Sequence, residues 1–370
     1  MKLSYWEIKS WLSNIHYTVV GSGIVGLNCA LALKNRFPKA NILILEKGML
    51  PQGASTKNAG FACFGSLSEI IDDLNTHSEE EVLQLINKRV DGLKLLRASL
   101  GDKTIDYKNY GGFELFLKNE TLIQDCLEKK EMINTLLKPI FKKDVFTTKS
   151  NVFNFKNVES TYILNKFEGQ IDTGKMMEAL LKKVYTNGIK ILNNTFVERY
   201  SEDLNTVKIE TNAFEFSSLK LLIATNGFAS QQNISEVKPA RAQVLITKPI
   251  DSLKIKGTFH LDKGYYYFRN IDNRILFGGG RNLDFKGEET TVFDQTSLIQ
   301  NKLESLLRTT ILPNTDFEIE HRWSGIMGLG HQKKAIVKQL SNNVFCGVRL
   351  GGMGVAIGSL IGKELSDLIV

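Results

Sequence analysis

Cysteine is scarce in this chain of 370 residues: Cys29, Cys63, Cys126 and Cys346 lie far apart and form no C-x-x-C pair. That spacing excludes a disulfide framework and a cysteine zinc site, and makes a reducing cytoplasm the expected setting. Histidine is equally thin, with five residues dispersed along the chain and no H-E-x-x-H spacing, so no metal is expected. Long hydrophobic runs are also lacking. Residues 17–33 carry no charge, but three glycines interrupt them and they fall short of the ~20 residues a membrane span needs. At the N-terminus Glu7 and Lys9 break up any apolar core, so no secretory leader is expected. The net charge of +7 is modest for this length, and no tight Lys/Arg cluster with interleaved aromatics is visible. A generally basic surface is expected, without a nucleic-acid partner. Neither an internal repeat nor a low-complexity segment is present.

What is present is ordinary globular composition and one organising stretch. Apolar residues make up 42% and charged residues 24%, enough for about two domains with a large core. Residues 17–33 read as a buried strand, a glycine turn and a helix, with Gly21, Gly23 and Gly26 in G-x-G-x-x-G. The first glycine permits the tight turn, the second lets backbone approach a pyrophosphate, and the third lets helix pack on strand. The helix N-terminus then offers free N–H groups and a positive dipole end. A second apolar run, residues 41–45, ends in Glu46, about 20 residues past the glycines, where dinucleotide folds place a ribose-binding carboxylate. An acid there suits an unphosphorylated ribose, as in FAD or NAD.

Residues 4–14 predict a short amphipathic helix bearing Trp6 and Trp11, packed on the domain as a lid rather than lying in a membrane. Residues 48–66 are small and polar, a long loop of the kind that is usually functional. Helical periodicity returns over 67–100 and again over 119–138. Asp172 or Thr173 is a good N-cap for a helix over 176–186. Strands are expected around Gly111-Gly112, at 190–192, 207–210, 219–224, 242–248, 264–278 and 344–348, and a last helix from about Ile357.

Several signals fall in one order: G-x-G-x-x-G with Glu46, the loop Gly53–Gly60, Ala224-Thr-Asn-Gly227 and Arg241-Ala-Gln243. Gly264-Tyr-Tyr-Tyr-Phe, Gly278-Gly-Gly-Arg281, Trp323-Ser-Gly325 and Gly351-Gly-Met-Gly354 follow. Together they resemble the D-amino-acid oxidase-like (DAO) family of FAD-dependent oxidoreductases over nearly the whole chain. The resemblance implies an α/β fold: a Rossmann-like FAD-binding domain of the GR2 type with an inserted, mostly antiparallel β substrate domain. Residues 1–80, 145–235 and 325–370 then form the discontinuous FAD domain, and 81–144 and 236–324 the substrate domain.

The resemblance also implies roles. Gly21, Gly23 and Gly26, with Ile24 and Val25, receive the pyrophosphate, and Glu46 with Lys47 the adenosine ribose. Ala54, Ser55, Thr56, Asn58, Ala59 and Gly60 run along the pyrophosphate and ribityl chain to the flavin. Val197 meets the adenine, and Thr225, Asn226 and Gly227 close over the dinucleotide. Arg349, Gly351, Gly352, Met353, Gly354 and Val355 bring backbone N–H groups to the flavin's pyrimidine edge, where negative charge develops on reduction. Arg349 is the candidate for a substrate carboxylate, because its fork binds carboxylates in a bidentate fashion. Tyr265 and Tyr267 are pocket candidates, with Arg281, Arg322 and His331 behind them.

There are departures. A second arginine of small-amino-acid oxidases is replaced by about Met327, and two sarcosine-oxidase lysines by about Ala356 and Leu276, with Arg274 close by. A flavin-linking cysteine has no counterpart, since Cys346 falls in the following strand, so non-covalent FAD is expected. The expected activity is oxidation of an amine or amino acid by hydride transfer to the flavin, with electrons passing to O2 or another carrier. Oxidation of a 2-hydroxy acid is the nearest alternative. A tRNA-modifying flavoprotein and a non-catalytic flavin binder are the others.

Overall fold

A computed structural model describes residues 2–118 and 120–370. Two large sheets divide the chain. The first is built on five parallel strands in the order Val344–Val348, Glu215–Ile223, Ile15–Val20, Ile42–Leu45, Lys190–Leu192. Ile336–Gln339 runs antiparallel on one edge, and the hairpin Val197–Glu202/Val207–Thr211 branches from Glu215–Ile223. Ile42–Leu45 is buried throughout, as an inner parallel strand covered on both faces should be. The helices Ile24–Arg36 and Gly354–Asp367 lie side by side, so close that a Cβ on Gly362 would stand 2.6 Å from the Val25 carbonyl oxygen.

The second sheet runs Ile319–Leu329, Lys238–Thr247, Arg274–Gly279, Tyr266–Ile271, Thr258–Leu261, Gly112–Glu114, Thr161–Asn165, Phe146–Ser150. Every pairing is antiparallel except Thr258–Leu261 with Gly112–Glu114. Stacked Phe259 and Phe268, with ring centroids 4.5 Å apart, anchor its core.

The expected domain boundaries do not fall where the chain changes layer. Phe146–Ser150 and Thr161–Asn165, placed in the FAD domain by the 144/145 boundary, pair onward from Gly112–Glu114 in the second sheet. Ile319–Leu329 runs through the 324/325 boundary as one strand. The helix Glu79–Leu100 packs its Gly92 against the Ala356 backbone, and so belongs with the first layer. Local sequence cannot show these shifts, because strand partners are chosen over long separations.

The Trp segment is helical but not a lid. Tyr5–Glu7 and the wider turn Ile8–Leu12 bury only Leu12, and Trp6 is 68% and Trp11 39% exposed. No helix among the described residues is long and apolar enough to cross a membrane.

Candidate functional site

The parallel strands all point their C-terminal ends at one crevice, where this kind of sheet binds ligands. Val20 leads to Gly21, Leu45 to Glu46, Ile223 to Thr225 and Val348 to the terminal glycines. These ends, with the 52–61 loop and one face of the second sheet, line a cavity of about 750 Å³.

At one end the backbone is shaped for an anion. Gly21 has φ +103°, and a Cβ on Gly26 would lie 1.9 Å from the Gly21 carbonyl oxygen, so strand, turn and helix touch directly. The helix has no side-chain cap from Gly23. Ser55 Oγ accepts from Ile24 N at 2.9 Å, while the N–H groups of Gly23 and Val25 have no protein partner. Glu46 is buried and ties the turn together: Oε2 accepts from Ser22 N (3.0 Å) and Ser22 Oγ (2.6 Å). Its Oε1 accepts from Gly48 N (3.0 Å) and, more weakly, Gln52 N (3.3 Å). Val197, Phe196 and Phe228 line the same end, with Lys47 Nζ over both phenyl rings at 5.2 and 5.5 Å.

The middle is a loop held from the second sheet. Asn58 Nδ2 donates to the carbonyls of Ala54 and Ser55, and its Oδ1 accepts from Gly60 N at 2.9 Å. Trp323 Nε1 donates to the Lys57 carbonyl at 3.0 Å. Arg269 Nη1 donates to the carbonyls of Gly60 (3.0 Å) and Ile171 (2.6 Å), and burial pulls its pKa down to about 10. Asn226 reaches across the crevice, its Oδ1 accepting from Leu350 N at 3.1 Å. Thr225 Oγ1 is buried without a partner. Gly352, Met353, Gly354, Val355 and Ala356 line the cavity where the last helix starts, uncapped by any side chain.

The far end is chemically different. Tyr265, Tyr267, His260, Phe61, Cys63, Met327 and Leu329 line it, with the charged groups Glu69, Asp72, Lys263, Lys333 and Arg281. Burial raises the Tyr267 phenol to about 12 and the Cys63 thiol well above its usual value. Lys263 pairs with Asp72 at 2.8 Å, and Lys333 with Asp73. Among the described arginines, Arg281 alone has a guanidinium with no hydrogen bond or ion pair. It lies over the Phe285 ring at 4.7 Å, and burial lowers its pKa.

The structure thus brings most of the expected residues together, with five placed elsewhere. Gly26 and Thr56 are behind the lining, Gly26 in helix packing and Thr56 bonded to the Pro51 carbonyl at 2.7 Å. Arg349 is not part of the lining. Its φ of +63° turns it outward, and its Nε donates to the Lys334 carbonyl at 2.9 Å. Arg322 is held by Glu304 and Gln300, each at 2.7 Å, and His331 lines a smaller hollow that adjoins the cavity at Arg281 and Leu329. Sequence reasoning missed His260, Glu69, Asp72 and Lys263, for which no local pattern exists; they meet only through tertiary pairing.

The residues present fit an extended dinucleotide. Unpartnered N–H groups, a glycine that admits no Cβ, and an orphaned threonine hydroxyl line the glycine-loop half of the cavity. A family model described as FAD dependent oxidoreductase (DAO) matches residues 16–368. Gamma-glutamylputrescine oxidoreductase of Escherichia coli (strain K12) is 22% identical over 367 residues, covering 95% of this chain and 82% of that protein. Glycine oxidase from Geobacillus kaustophilus superposes with a TM-score of 0.76 at 16% identity, covering 95% of this chain and 93% of that one. L-proline dehydrogenase from P. horikoshii gives 0.72 at 16%, covering 96% and 93%. The chain belongs to the DAO family of FAD-dependent oxidoreductases.

Proposed function

We propose that this FAD-dependent oxidoreductase oxidises an amine that carries a carboxylate, an amino acid or N-substituted amino acid, with non-covalent FAD. The observation that carries the substrate class is the unpaired Arg281 guanidinium at the far end of the cavity. A half-buried cation without a counterion is costly unless a ligand supplies one, and guanidinium matches carboxylate geometry. Arg281 takes the role expected of Arg349, which lies outside the lining. The related proteins are named for gamma-glutamylputrescine, glycine and L-proline, all of which bear nitrogen.

The protein's own work is to bind, orient and exclude water. Gly23, Ile24 and Val25 would hold the pyrophosphate and Glu46 a ribose hydroxyl, displacing the long bond from Gln52. The uncapped start of the last helix, at Gly354 in the cavity wall, would offer its backbone N–H groups to negative charge on a bound flavin, and the flavin would supply the hydride acceptor. Phe61, Tyr267 and Met353 wall the reacting region, and Arg281 fixes the substrate's other end. Leu276 packs with Ala59 and Val244, and Arg274 is engaged by Glu320 at 2.7 Å. Neither supplies a free cation to activate O2, which favours a different electron carrier.

The test begins with the absorption spectrum before and after acid precipitation, where the flavin should leave with the supernatant. Anaerobic bleaching by amino acids, and not by 2-hydroxy acids, supports the reading; bleaching by 2-hydroxy acids alone overturns it. Arg281→Met should weaken apparent affinity for the carboxylate substrate by ~1.5–3 kcal/mol, as for a lost charged hydrogen bond. Arg349→Met should leave it nearly unchanged.

A further inference from the structure

One buried pair in the cavity wall has no part in holding the dinucleotide. His260 sits on the strand Thr258–Leu261, between Tyr267 on one neighbouring strand and Glu114 on the other. Its Nε2 donates to Glu168 Oε1 at 2.6 Å, and that oxygen also accepts from Thr258 Oγ1 at 2.7 Å. Glu168 is fully buried, with its Oε2 unpartnered and pressed where a Cβ on Gly112 would stand. With Nε2 committed to a carboxylate, the other ring nitrogen, Nδ1, is the free one. It has no partner in the protein, and the ring lines the cavity edge-on to Phe61, 5.3 Å between centroids.

We propose that His260, oriented by Glu168, is the group that takes the proton from the substrate's ammonium before oxidation. The inference rests on the amine reading above. An ammonium has no lone pair to support loss of hydride from the neighbouring carbon, so a proton must leave first. The N–H bond breaks, an Nδ1–H bond forms, and the electron pair stays on the substrate nitrogen. When the C–H electron pair then passes as hydride to the bound flavin, that lone pair closes the C=N bond. A carboxylate holding the far nitrogen of a histidine is the general arrangement for fixing the tautomer of a base.

The charges around the ring suit the task. Glu168 faces His260 directly, Glu69 approaches from the helix Leu67–Leu74, and Glu114 from the adjacent strand; Tyr267 stands beside it neutral. Burial alone lowers the imidazole's pKa, but the charge and hydrogen bond of Glu168, with Glu69 and Glu114, outweigh it and hold it at about 9. That is close to an amine's own range, where proton transfer is most nearly balanced. The carboxylates also keep the neighbourhood attractive to a cationic substrate.

The experiment is anaerobic flavin reduction by an amino acid across pH 6–10, with histidine side-chain NMR titration of the same holoproteins. The wild type should show a rate that climbs about tenfold per pH unit to a limb near 9, and an imidazole titrating at the same pH. His260→Gln should lose that imidazole signal and reduce the flavin at least about 100-fold more slowly at neutral pH. Glu168→Gln keeps the shape and the acceptors for Thr258 and His260, and should move both limb and titration down by a unit or more. A limb set by the substrate's own ammonium would not move. Wild-type limbs in both variants, or an imidazole titrating near 6.5, would overturn the proposal. If no amine reduces the wild type, the amine reading fails and takes this inference with it, whereas reduction with an unmoved limb sinks this inference alone.

Discussion

Gly26 shows what a single residue decides here. Its missing side chain lets the helix Ile24–Arg36 touch the glycine turn, since a Cβ would lie 1.9 Å from the Gly21 carbonyl oxygen. That atom is backbone and cannot rotate away. Gly26→Ala should therefore destabilise the protein by ~1–3 kcal/mol, as overpacking does, and displace the unpartnered N–H groups of Gly23 and Val25. Thermal unfolding and the flavin absorbance of the purified variant would check both effects together. A variant that keeps wild-type stability and full flavin would show that the turn has slack. Gly26 was legible from the G-x-G-x-x-G pattern because its role is local. His260 was not legible at all, and Arg281 stood only behind Arg349 as a candidate, since what distinguishes them is one buried carboxylate and one absent partner.

Between elements, one buried tie is ionic. Arg241 on Lys238–Thr247 and Glu288 in the 284–296 loop form a buried two-pronged pair, Nη2 to Oε1 at 2.7 Å and Nε to Oε2 at 2.8 Å. Gln243 Nε2 donates to the same carboxylate at 3.0 Å, and Gln243 Oε1 accepts from Thr296 N. The motif Arg241-Ala-Gln243 marked the family in the sequence; the structure shows it fastening a long loop to the second sheet. Arg241→Met should cost about 3–5 kcal/mol in urea unfolding, because it strands a buried carboxylate. The double change Arg241→Met with Glu288→Leu should recover much of that loss. If the single variant were as stable as wild type, the pair would be a bystander. Such partners, 47 residues apart, cannot be paired from a sequence window.

For the whole molecule, the cavity spans two layers, so its ligand should stabilise both. FAD at about 100 times its dissociation constant adds ~2.7 kcal/mol, or roughly 3–4 °C in melting midpoint for a chain of this size. FMN lacks the adenosine half that the Gly23 and Glu46 end is shaped to hold, and should give a smaller rise. Equal shifts would mean that the glycine end contributes no binding.

The sequence by itself determined the strand, turn and helix at the heart of the first layer and the glycine-lined end of the cavity. Gly21 to Gly26, Glu46 and the 53–60 loop act through short-range backbone geometry, which a local pattern records. The N-cap of the helix Thr173–Thr186 was legible for the same reason, Asp172 accepting from Lys175 N at 2.9 Å. Only the tertiary structure decided the rest. It carried 146–165 into the second sheet, turned Arg349 outward, left the Trp6 face in solvent, and set His260 on Glu168 across 92 positions of chain. Strand partners and buried charge pairs depend on what the folded chain brings near, and nothing in a residue's own neighbourhood fixes that.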